Sequence, residues 1–156
     1  MSGEDGGGTE VLFYQLERQP LDQVLPGLLE KTLERGWRAV VQAGGQERLE
    51  SLDALLWTYR EDSFLPHGTA RDGFLDQQPV FLTIGEDNPN AASVRFLVDG
   101  ADCDELTTYS RVVYLFDGRD EDALAQARQN WKKARGAGLD VTYWQQNERG
   151  RWEKKA

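Results

Sequence analysis

Arg128, Lys132 and Arg135 are spaced i, i+4, i+7, with Trp131 beside them and Lys133 adjacent. On a helix, that spacing places the three cations on one stripe. No acidic residue occurs from Ala123 to Leu139, in a chain with 27 Asp and Glu against 18 Lys and Arg and a net charge of −9. Arg can grip a carboxylate bidentately, Lys can attract an acidic flank, and an indole offers an apolar platform. Two readings fit these residues. One is a solvated helix face with Trp131 packed inward. The other is a docking surface for an anion that also carries an apolar part.

Other reactive side chains form no comparable group. His67 is the only histidine and follows Pro66, so no His/Cys cluster exists to hold a metal. Asp102, Asp104 and Glu105 leave room for a carboxylate-only Mg²⁺ site, although acidic residues at a helix start are usually caps. Cys103 lies between Asp102 and Asp104, where negative charge disfavours the thiolate. Ser63 and Ser110 lack a GxSxG setting. No cofactor, metal or catalytic residue is therefore expected.

The elements that must position the stripe follow from hydrophobic periodicity. Val112 to Phe116 is a short β-branched and aromatic run, predicting a buried strand. Asp117-Gly118 ends it, Asp120 can cap a helix, and Gly136 and Gly138 stop that helix. Upstream, strands are expected at 10–16, 37–43, 79–84 and 93–98, and another after Leu139. Helices are expected at 21–35, 46–57 and 101–109. Pro26 suggests that the first helix starts later than Leu21. The turn signal Glu86-Asp87-Asn88-Pro89-Asn90 makes 79–84 and 93–98 an antiparallel hairpin or tight neighbours.

This order predicts a single α/β domain over 10–145. Its sheet is mostly parallel (mixed), with helices on both faces and a Rossmann-like topology. Residues 1–9 are expected to be disordered and 146–156 to be a polar, frayed tail, with Trp152 unexplained. A dinucleotide site would need glycines at the first βα junction, but that junction is Glu17-Arg18-Gln19-Pro20. Gly44-Gly45 is a weak signal, and the acidic start of the last helix repels phosphate. An α/β nucleotide-binding or hydrolytic enzyme with an unrecognised site stays as the alternative function.

Composition narrows the classes further. The chain has 156 residues, of which 39% are hydrophobic and 29% charged, as in an ordinary globule. One cysteine excludes an internal disulfide and fits a reducing compartment. Without a secretory h-region or a membrane-length apolar run, a cytoplasmic location with no membrane contact is expected. The acidic balance argues against direct tight DNA binding. Phe64 and Leu65 are large apolar residues in a long polar loop. They either anchor it to the core or form a knob for a protein partner.

Two stretches carry a resemblance. Leu56-Trp57 followed by Ser63-Phe64-Leu65-Pro66-His67, and Val112 to Gly138 (VVYLF…ED…AR..WKKAR.AG), together resemble the DNA polymerase III chi subunit family. That resemblance implies a noncatalytic accessory of the replicative clamp-loader assembly. It implies two partners, the acidic, Phe-terminated C-terminal tail of single-stranded DNA-binding protein and the psi subunit. Carried over position by position, the tail site is Phe116, Arg128, Trp131 and Lys132. Trp131 stands where the family more usually has a smaller aromatic. A further basic position falls on Leu124 or Ala125 here, leaving Arg135 or Lys133 to compensate. The psi contact includes the position of Phe64, with Leu65 beside it.

Overall fold

The computed structural model describes residues 8–58 and 66–156. Among the described residues, seven strands form one sheet in the order β3-β2-β4-β5-β1-β6-β7. They are β1 (Glu10–Leu16), β2 (Ala39–Gln42), β3 (Val80–Thr83), β4 (Val94–Val98), β5 (Arg111–Asp117), β6 (Asp140–Gln146) and β7 (Trp152–Lys154). All neighbours are parallel except β6 and β7. The helices are α1 (Leu21–Glu34), α2 (Gln46–Thr58) and α3 (Glu121–Gly136). The mixed α/β class expected from the sequence is the one observed.

The two faces of the sheet sort by side-chain alternation. On β5, Val113 and Leu115 join the core under α1 and α2, with Leu25, Leu29, Leu52 and Leu56. Val112, Tyr114 and Phe116 join the core under α3, with Phe13, Ala127, Ala134 and Val141. The chain leaves β1 over the first face toward β2, and leaves β5 over the second face toward β6. Reversing both direction and face preserves one handedness, as parallel crossovers require.

Four expectations need correction. β3 and β4 are not a hairpin, because β2 lies between them and pairs parallel with both. Their sequences read as continuous apolar runs because both faces are covered, and a hairpin exposed on one side would alternate. The connection is pinned across β2 by Asn90, whose amide donates to the carbonyl oxygens of Ala39 and Gln78. Second, α1 starts at Leu21 and holds Pro26 in its second turn. Proline there removes one backbone hydrogen bond, and it is buried together with Leu25 and Leu29.

Third, only a 3-10 turn at Leu106–Thr108 forms where a helix was expected at 101–109. The Asp102 carboxylate accepts from the Cys103 amide, the kind of local bond that competes with a helix. Fourth, the carboxyl end is not frayed, since β7 closes the sheet edge. There Trp152 packs edge-on to Tyr14 at 4.7 Å. Thr9 is also buried, its hydroxyl donating to the Tyr109 carbonyl.

Arg95 on β4 is fully buried. Its guanidinium donates to Gln42 Oε1 from Nε and Nη2, to Asp87 O and Tyr109 Oη from Nη1, and to Gly85 O from Nη2. All five N–H donors are used, each on a neutral oxygen, so the charge is spread over acceptors that would otherwise be orphaned. Arg95→Ala should lower unfolding free energy by more than ~3 kcal/mol in urea titrations. Arg95→Lys should recover only part, because an ammonium has three donors.

Candidate functional site

The stripe predicted from the sequence lies on α3, which the Asp120 side chain caps by accepting from the Asp122 and Ala123 amides. Glu121 and Asp122 occupy the first turn, and Lys133 and Arg135 the last, each complementing the helix dipole. Ala127, Asn130 and Ala134 are buried against the sheet. Arg128, Lys132 and Arg135 are exposed, and Trp131 is half-buried.

Trp131 belongs to an aromatic cluster. Its ring meets Phe13 and Tyr143 edge-on, each at 5.6 Å. Tyr143 in turn meets Phe116 edge-on at 5.9 Å. Beneath them, Phe13 stacks on Tyr114 at 4.6 Å and on Tyr143 at 6.3 Å. These geometries are favoured for aromatic pairs and fix the row Phe116–Tyr143–Trp131 across β5, β6 and α3. At the Trp131 end, the Arg135 guanidinium lies 5.6 Å from the ring centroid. Burial raises the Tyr143 phenol's pKa, while the charge of Arg128 draws it back.

Of the residues expected at this site, Trp131 and Arg135 meet in the aromatic row, and the charge of Arg128 acts on Tyr143. Phe116 is only 8% exposed and forms the floor of the row, not an open slot. Tyr143, half-exposed, supplies the accessible surface that was assigned to Phe116. Sequence reasoning missed it, although Val141 and Tyr143 share a strand face by period-two alternation, and Val141 lies in the α3 core. Lys132 is exposed on the helix. Arg128, Lys132 and Arg135 form no ion pair among the described residues.

Lys133 differs, with its Nζ 3.0 Å from Asp102 Oδ2. It fastens α3 to the loop after β4, whereas Arg135 makes no such pair among the described residues. Asp102 also accepts from the Tyr114 hydroxyl at 2.7 Å. Burial alone would raise the Asp102 pKa. The hydrogen bonds from Tyr114, Lys133 and the Cys103 amide outweigh it and hold the carboxyl below its ordinary value. Phe64 and Leu65 lie outside the described residues.

The remaining candidates are structural where described. Burial pushes the Cys103 thiol pKa up. His67 is buried, with Nε2 2.9 Å from Asp53 Oδ1. Among the described residues, no three His, Cys, Asp or Glu side chains stand close enough to share a metal, and Asp102 is engaged as above. No helix there is long and apolar enough to cross a membrane. The crevice at the carboxyl ends of β1 and β5, where doubly wound folds take ligands, holds about 190 Å³. Arg48 crosses it to ion-pair with Asp99 and Asp22. A Cβ on Gly44 would come within 2.6 Å of Asp99 O, so this glycine permits a close approach of two loops.

Residues 9–142 match the family model described as DNA polymerase III chi subunit, HolC. The chain belongs to that family. A "Probable DNA polymerase III subunit chi" of Rickettsia prowazekii (strain Madrid E) is similar to it, 26% identical over 104 residues. That alignment covers 67% of this chain and 63% of the relative, so the chain spans less than two thirds of that protein's length. The chi-family match includes α3 whole and ends inside β6, so Tyr143 and β7 lie beyond it.

The Asp102 carboxyl has a lower pKa in the folded protein than in the unfolded chain, so the unfolded state binds more protons in acid. Its stabilising contribution is complete at neutral pH and is lost as pH falls below about 4. Urea unfolding across that range should show a flatter acid limb for Asp102→Asn than for the wild type.

Proposed function

We propose that this chi-family chain is a noncatalytic accessory subunit of the replicative clamp-loader assembly. In this reading, the α3 ridge receives the acidic C-terminal tail of single-stranded DNA-binding protein. The supporting observation is the row Phe116–Tyr143–Trp131 flanked by Arg128 and Arg135, cations without ion pairs among the described residues of an acidic protein. A tail ending in an apolar residue and its carboxylate needs both features within one side-chain length. Its last ring would lie against Tyr143 and Trp131, its terminal carboxylate would meet Arg128, and Lys132 would attract the acidic residues before it.

A contact of this size is expected to be micromolar and salt-sensitive. A psi-type partner would engage Phe64 and Leu65, which follow the exposed Trp57 in the sequence. The crevice crossed by Arg48 gives the nucleotide-enzyme alternative no support.

Calorimetry with a peptide ending in Asp-Ile-Pro-Phe tests the assignment. Trp131→Ala should weaken binding by roughly 1–3 kcal/mol, the range for an interface anchor. Arg128→Ala should also weaken it and reduce its salt dependence. Unchanged affinity in Arg128→Ala removes the site from α3.

A further inference from the structure

The opposite face of the sheet holds a larger cavity, about 480 Å³, between the last turns of α1 and β7. Tyr14, Trp37, Phe96 and Trp152 line it with aromatic rings, and Lys31, Arg35 and Arg111 with three cations. Two guanidiniums converge on one indole. Arg35 lies 4.8 Å and Arg111 5.4 Å from the Trp37 ring centroid. Arg111 is answered by Glu10 at 2.8 Å. Lys31 and Arg35 make no ion pair among the described residues, and Glu34 is the one carboxylate in the lining.

Cations on the last turn of α1 offset the helix's negative end by themselves. Arg111 and the rings come from other elements, and their convergence makes the place a site. Trp152 lies beyond the family match, so one wall belongs to a part of the chain that the match does not cover.

We propose that this cavity binds a nucleoside monophosphate. Its volume lies within the usual range for small-molecule pockets. A flat base is suited to the indole and phenol rings, and a phosphate to the Arg35 guanidinium with Lys31 beside it. The protein's net charge of −9 repels a long polyanion over its whole surface, whereas a ligand with one phosphate meets mainly the local cations. This site is independent of the α3 ridge.

The test follows the indole N–H resonances of Trp37 and Trp152 by NMR while adenosine 5′-monophosphate is added at low salt. Saturable shifts with Kd of about 0.1–1 mM are expected. The exposed-residue double variant Lys31→Gln/Arg35→Gln should keep its melting temperature and weaken binding about tenfold or more. Arg128→Ala should leave the titration unchanged. The proposal is overturned by any of three results: no shift up to about 10 mM nucleotide, wild-type affinity in the double variant, or equal affinity for adenosine without phosphate. Tighter binding of a twelve-residue oligothymidylate than of the mononucleotide at the same resonances also overturns it, in favour of a single strand.

Discussion

The structure depends on β1 being paired in parallel on both sides, with β5 on one edge and β6 on the other. β5 and β6 are consecutive strands joined by α3, so the chain must carry α3 across β1 to place them there. That constraint seats α3 over β1, β5 and β6 together. It brings Phe13, Tyr114, Phe116, Trp131 and Tyr143, from four elements, into one cluster. The register sets Phe13 level with both Tyr114 and Tyr143, which accounts for its near-parallel stacking on each. The ridge is therefore a product of sheet topology as much as of helix spacing.

Charge is organised with similar economy. Fully buried Arg95 is satisfied by neutral oxygens, and Lys133 is committed to Asp102. Arg48, in the lining of the crevice at the strand ends, is held by Asp22 and Asp99. Among the described residues, Arg128, Lys132 and Arg135 on α3 and Lys31 and Arg35 at the end of α1 are among the cations without an ion pair, in a protein with an excess of carboxylates. Unmatched charge of the minority sign marks places where an outside anion is favoured.

Much of this was legible in the sequence. α1 and α3 follow from period and glycine stops, because helices of 14 and 16 residues with a clear apolar stripe leave little ambiguity. The stripe on α3 could be read directly, since helical spacing fixes its geometry. Less legible was anything decided across the sheet. An Asn-Pro turn signal cannot distinguish a hairpin from a crossover, and β2 entered between β3 and β4. Depth was equally hidden: Phe116 and Tyr143 are both aromatic strand residues, yet one is nearly covered and the other half-exposed. That difference depends on neighbouring strands far away in sequence. Lys133 and Lys132 are likewise adjacent and alike, and only the position of Asp102 separates a fastener from an exposed cation.

The short edge strand links the two faces. Its backbone continues into Lys155, whose amide donates to the Tyr143 carbonyl, while the Tyr143 amide donates to the Ala156 carbonyl. The final residues thus hold the strand that presents Tyr143 on one side, while Trp152 walls the cavity on the other. Changes within residues 152–156 would consequently be felt at both surfaces together, though each is built around a different helix. Attachment through residues before β1 would leave that clasp intact.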